Sequence, residues 1–202
     1  MTETKIKFCG LRHEEDVKYA ASLDAGFFGF ILSERFKRYI APGEIRRLKQ
    51  FVPSNAKTVG VFVDEPEEYV IACSKEADLD MIQLHGSEDD AYIMSIKEKT
   101  GLPVIKMVKP VSEGDIITAR QSKADLILLD SGAGGTGKVF DWSLAENLGR
   151  DYILAGGLTP ANAGEAVKRL KPFAVDVSSG VETEGIKDFS KMKAFAAEVR
   201  KI

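Results

Sequence analysis

The chain is 202 residues long, the size of one domain spanning residues 1–202, and its 44 % hydrophobic and 29 % charged content is that of a globular protein. A net charge of −3 supplies no basic face for nucleic acid. No apolar run approaches the ~18 residues of a membrane span and no basic leader precedes an apolar core, so a cytoplasmic protein with neither a membrane nor a nucleic-acid partner is expected.

In chain order, the first strand candidate is "KIKFC" (5–9), which ends in a cysteine against Gly10. The next are "GFFGFIL" (26–32), "KTVGVFV" (57–63), "LDMIQLH" (79–85), "PVIKMV" (103–108), "DLILLD" (125–130), "DYILAG" (151–156) and "FAVDVS" (173–178). Between them run helical patterns. Ile45, Leu48 and Val52 recur at three- and four-residue steps, as do Ala163, Ala166, Val167 and Leu170, and then Met192, Phe195 and Val199. Thr159 directly before Pro160 reads as a helix cap with a proline in the first turn. Cys73 lies within a helical pattern and reads as a small buried hydrophobe. It and Cys9 are far apart and lack metal-type spacing, so both are expected as free thiols and no metal site is expected.

Each strand candidate is followed by a helix-like segment, and the series recurs roughly every 20 to 30 residues without a composition break. Eight such units can close into a (β/α)8 barrel, and a chain near the ~200-residue lower bound of that fold needs short loops. A doubly wound open sheet is the competing α/β architecture.

Side chains alternate across a strand, so Lys5, Lys7 and Cys9 share one face while Ile6 and Phe8 share the other. Gln83 and His85 oppose Ile82 and Leu84, and Asp130 continues the face of Leu126 and Leu128. In the eighth strand Ala174, Asp176 and Ser178 oppose Phe173, Val175 and Val177. Cys9, His85, Asp130, Asp176 and Ser178 therefore gather at strand C-terminal ends, where a barrel of this kind carries its chemistry.

The seventh strand runs into "AGGLTPAN" and the eighth into "DVSSGVE". Glycine lets backbone N–H groups approach an anion, and loops seven and eight form the recurrent phosphate site of such barrels. Gly156, Gly157, Ser178, Ser179 and Gly180 are the phosphate candidates. "DSGAGGTGKVFDW" imitates nucleotide motifs, but Val139 stands where a hydroxyl would have to hold magnesium, and the glycines open the sixth unit. A loop closing over the site is the better reading of them.

A thiol and a carboxyl on opposite sides of a substrate form a general base and a general acid. Lys7, on the face of Cys9, would favour the thiolate; Asp130 would need a raised pKa to stay an acid. His85 reads either as a structural imidazole or as a partner of a ribose hydroxyl or of the acid. In "SERFKRYI" the bland reading is a solvated basic loop, the sharper one Arg38 as a bidentate clamp for a carboxylate.

Together "KFCGLR", "GFFGFIL…FKRYI", "GVFVDE", "IQLHG", "LLDS…GGTGKVFDW", "LAGGLTPANA" and "FAVDVSSGVE…GIKD" resemble the phosphoribosylanthranilate isomerase family of tryptophan biosynthesis, in order from about Lys5 to Asp188. Phe36 stands where that family often has serine. The resemblance implies a (β/α)8 barrel performing an Amadori rearrangement of a phosphorylated small molecule without a cofactor. It also implies that Asp130 protonates the ribose ring oxygen, Cys9 takes the C2 proton, Arg38 binds the anthranilate carboxylate and the glycine loops bind the phosphate, with His85 and Asp176 as further substrate-binding residues. The histidine-pathway isomerase, indole-glycerol-phosphate synthase and a non-catalytic phosphate-binding barrel are the rivals. The first carries a carboxylate where this chain has Cys9, the second a catalytic lysine-rich set not found here, and the third would lack the acid or the base. The sequence leaves monomer or homodimer open.

Overall fold

Eight short parallel strands form a closed barrel in sequence order, β1 (Lys5–Cys9), β2 (Phe27–Ile31), β3 (Lys57–Phe62), β4 (Met81–Leu84), β5 (Val104–Val108), β6 (Leu126–Leu129), β7 (Tyr152–Leu154) and β8 (Ala174–Val177). The structure, a computed structural model, describes residues 3–131 and 140–201. The proposed closing loop and its nucleotide-like glycines, Gly132 to Val139, lie outside the described residues. Closure is made by β1 and β8, with Lys5 opposite Ala174 and Phe8 opposite Val177, which rules out the open doubly wound sheet.

The strands are largely apolar on both faces, as a parallel sheet covered by helices requires, with buried Lys7, Gln83 and Asp176 as polar exceptions on the inward face. Outward-facing Ile6, Phe8, Ile82, Leu84, Ile127, Leu129, Val175 and Val177 join the core under the helices. Inward-facing Phe27, Val59, Met81, Ile105, Leu128, Ile153 and Ala174 fill the barrel. Phe173 does not obey the expected alternation. It precedes β8, so the pleat does not govern it, and it packs into the barrel interior with its ring 6.1 Å from that of Phe27 and the Lys5 ammonium 4.9 Å from its centroid.

Among the described residues seven α-helices surround the barrel: α1 (Glu14–Ser22), α2 (Pro42–Leu48), α3 (Glu67–Ala77), α4 (Asp90–Thr100), α5 (Glu113–Gln121), α6 (Ala163–Leu170) and α7 (Phe189–Arg200). After β6 the expected helix is a 3-10 segment, Trp142–Asn147. The helix through Ile45 and Leu48 tightens into a 3-10 turn at Lys49–Phe51, leaving Val52 extended beyond its end. Cys73 is buried and free on α3, where Val70 and Ala77 share its face. Helix α6 starts later than the Thr159–Pro160 pair suggests. Asn162 is the residue before its first turn; its Oδ1 accepts from the Thr159 N–H (2.8 Å) and its Nδ2 donates to the Gly157 carbonyl (3.0 Å). That one side chain ties the helix start to the glycine loop.

Beyond β8 comes a two-stranded antiparallel ribbon, β9 (Glu182–Thr183) and β10 (Ile186–Lys187). The loops after β3 and β4 are fixed by Glu88, which accepts from the N–H groups of Asp64 and Gly86 (2.9 Å each) and from Lys106 Nζ (2.7 Å). Among the described residues no helix is long and apolar enough to cross a membrane.

Candidate active site

The strand register carries the sequence-derived candidates to one end of the barrel. Cys9 is the last residue of β1, Asp176 the third of β8, and His85 and Asp130 directly follow β4 and β6. A cavity of about 80 Å³ opens among the ends of β6, β7 and β8; its lining includes Asp130, Asp176, Gly156, Gly157, Ser179 and Gly180. It has room for a phosphate-sized group. Gly156 and Gly157 have φ of 80° and 69°, a backbone state that favours glycine. A Cβ on Gly156 would lie 3.0 Å from Asp130 Oδ1, and one on Gly180 only 1.9 Å from the Leu158 carbonyl oxygen. The β7 and β8 loops thus touch each other and the acid candidate. Among the described residues, the N–H groups of Gly157 and Ser179 meet no protein acceptor.

The thiol is set differently from the carboxylate. Cys9 does not line that cavity; it is 7 % exposed, with Sγ over Gly29 and close to the Lys7 ammonium. Lys7 Nζ is wholly buried and donates to Asp176 Oδ1 at 2.9 Å, so the thiol, Lys7 and Asp176 form a line from β1 to the cavity wall. Burial pushes the Cys9 thiol up from its ordinary pKa, and the neighbouring Lys7 charge only partly offsets this. Lys7 thus acts in the expected direction, toward the thiolate, but in a dry site desolvation outweighs one cation. Burial opposes the charge of Lys7 too, but Asp176 and Cys9 together hold its pKa above the usual lysine value.

His85 stands with its Nε2 3.8 Å from Asp130 Oδ2, and its Nδ1 is 2.8 Å from Gln83 Nε2. Where the Gln83 amide donates, the ring proton sits on Nε2 and faces the acid candidate; with the amide turned over, Nδ1–H donates to Gln83 Oε1, which is otherwise buried without a partner. Burial lowers the pKa of His85 despite the nearby Asp130 charge, favouring the neutral ring. Gln83 lies two residues earlier on the same strand face, and that spacing was the available signal for its part.

Arg38 is not a bare clamp. Its Nε and one Nη donate to the two carboxylate oxygens of Glu182 at 2.9 and 2.6 Å, and its stem crosses Gly10 so closely that a Cβ there would lie 2.7 Å from Arg38 Cδ. The position after the thiol must therefore be small enough to let the arginine pass, and Gly10, with φ of 74°, also turns the chain there. Sequence reasoning missed Glu182 and Lys187. Both stand in quoted stretches, but an acid and a lysine in a loop read as solvated charges until their contacts are known.

A closed eight-stranded parallel barrel with titratable side chains and glycine loops at its C-terminal rim defines an enzyme of the (β/α)8 class. Residues 6–198 match the family model described as N-(5'-phosphoribosyl)anthranilate (PRA) isomerase, and the chain belongs to that family. The curated N-(5'-phosphoribosyl)anthranilate isomerase of Caldanaerobacter subterraneus subsp. tengcongensis is 42 % identical over 97 % of this chain and 98 % of its own. The crystal structure of phosphoribosyl anthranilate isomerase from Thermus thermophilus superposes with a TM-score of 0.89 at 34 % identity, covering 98 % of this chain and 99 % of that one. A phosphoribosyl anthranilate isomerase solved in complex with reduced 1-(o-carboxyphenylamino)-1-deoxyribulose 5-phosphate gives 0.86 at 35 % identity, over 98 % of this chain and all of the other.

Proposed function

We propose that this chain, acting as one barrel unit over residues 1–202, converts N-(5-phospho-β-D-ribosyl)anthranilate into 1-(2-carboxyphenylamino)-1-deoxy-D-ribulose 5-phosphate. Asp130 gives its proton to the ribose ring oxygen; the C1–O bond breaks and the nitrogen lone pair makes a C1=N iminium. Cys9, as thiolate, removes the C2 proton. The C–H electron pair becomes the C1=C2 bond of an enolamine, and the iminium electrons return to nitrogen. The enol then loses its O–H proton and C1 gains one, leaving the ketone at C2. Each step is driven by moving a proton, the C1–O cleavage included, and a well-placed acid or base contributes ~10²–10⁴-fold. Ionising a buried thiol is costly, but the positive iminium forms beside it at the moment when the base is needed.

Arg38 receives the anthranilate carboxylate, the loops at Gly156–Gly157 and Ser178–Gly180 receive the phosphate, and His85 and Asp176 hold the ribose. The observation that carries this reading is the convergence of β1, β6, β7 and β8 ends, bearing Cys9, Asp130 and the glycine cavity, at one rim of a closed barrel. The test is turnover of the fluorescent anthranilate adduct. Cys9→Ser and Asp130→Asn should each lower kcat by ~10² or more with little change in binding. Full turnover by Cys9→Ser would remove the thiol from the base role.

A further inference from the structure

Lys187 and Glu182 take no part in the proton transfers, yet they are among the least exposed charged side chains of the rim. The Lys187 side chain is 2 % exposed and that of Glu182 5 %. The Lys187 ammonium has three acceptors for its three protons: the Cys9 carbonyl at 2.7 Å, the Ser178 carbonyl at 3.1 Å and Glu182 Oε1 at 2.8 Å. One buried cation therefore joins the backbone of the base, the backbone of the phosphate loop and the carboxylate that grips Arg38. Glu182 in turn accepts from Lys187 and from the Nε–Nη2 edge of Arg38. Among the described residues, Nη1 of Arg38 makes no hydrogen bond, and the arginine side chain is one-third exposed.

A guanidinium has a second donor fork, formed by its two terminal nitrogens, and the grip of Glu182 on the first fork leaves that second one to be presented. The charges also do not balance. Arg38 and Lys187 are two cations against one carboxylate, so the cluster is complete only when one more anion docks.

Resting on the activity proposed above, we infer that Glu182 and Lys187 are positioning residues which fix Arg38 for the carboxylate of the substrate and so make the enzyme select an ortho-carboxylated arylamine. Without Glu182 the arginine keeps its charge but loses its bearing. The long side chain then has to be ordered by the substrate itself, a cost that falls on binding rather than on the proton transfers.

The experiment compares the anthranilate substrate with N-(5-phosphoribosyl)aniline, which lacks the carboxylate, in the parent chain, Glu182→Gln, Arg38→Ala and the double variant. Glu182→Gln should raise KM for the carboxylated substrate about tenfold, the scale of a lost charge-assisted hydrogen bond, with kcat little changed. It should leave KM for the aniline compound unmoved, and it should add nothing further once Arg38 is alanine. Glu182→Asp, which keeps the charge, should recover part of the loss and is read by the same comparison should the glutamine variant not fold. An equal rise for both compounds, or a full penalty persisting in the Arg38→Ala background, would overturn the inference. Absence of turnover by the parent chain would instead overturn the assigned activity.

Discussion

Cys9 shows how one residue can be read from sequence and still surprise in its environment. Its place at a strand end was legible from the period of two, because the pleat alone decides which face it joins. Its acidity was not, since that depends on how dry the site is. Burial raises the thiol pKa while Lys7, and more weakly Lys187, oppose it. A raised pKa means that the folded chain holds the proton longer than the unfolded one. The stability this contributes is present below the ordinary thiol value and is lost as pH rises through the folded one. In function the sign is the same: thiolate forms late. Alkylation of Cys9 by iodoacetamide should therefore still be accelerating above the ordinary cysteine range of ~8.5, and Lys7→Met should move its midpoint further up. A midpoint below that range would show that Lys7 governs the thiol after all.

At the scale of elements, the loops after β7 and β8 show what glycine supplies. Composition marks these loops in the sequence, but it makes their glycines look equivalent. They are not. Gly156 needs its positive φ and makes room for Asp130 and Ser131, whereas Gly180 is required because the neighbouring loop's Leu158 carbonyl occupies the space of a side chain. Gly180→Ala must push the two loops apart, since a real Cβ cannot approach a carbonyl oxygen to that distance. Its expected outcome is a lower thermal midpoint together with weaker inhibition by inorganic phosphate, measured by differential scanning fluorimetry and by competition in the turnover assay. Gly101→Ala is the control for strain without crowding, because its φ of 68° is likewise positive but nothing lies within 4 Å of the added carbon. It should cost stability and leave phosphate inhibition unchanged. The start of α6 teaches the same lesson from the other side. Thr159 and Pro160 are good first-turn residues locally, but Asn162 can bond both Thr159 and the Gly157 carbonyl, and that tertiary tie sets where the helix begins.

For the whole molecule the decisive seam is between β1 and β8, the join that turns a sheet into a barrel. Four residue pairs align there, and across it the buried Lys7 reaches Asp176. Breaking one partner of a buried ion pair strands the other, typically at a cost of about 3–5 kcal/mol. Lys7→Met should lower the unfolding free energy by about that amount, read as a lower denaturant midpoint by circular dichroism. Lys7→Met with Asp176→Leu should recover much of it, because an apolar pair of similar volume removes the stranded charge. If the single variant is as stable as the parent, the pair plays no part in closing the barrel.

The sequence by itself determined the eight barrel strands in their chain order, the face of most of their side chains though not of Phe173, and the rim to which Cys9, His85, Asp130 and Asp176 belong. Those arise from periodicities that act over a few residues. The sequence did not show the β9–β10 ribbon. Only the tertiary structure decided what each of those groups touches. That Lys187 binds the carbonyl of Cys9, 178 positions away, and that Glu182 holds Arg38 across 144 are consequences of closure. A polar side chain in a loop acquires its partner, its dryness and its acidity from segments distant in the chain, and no local pattern records them.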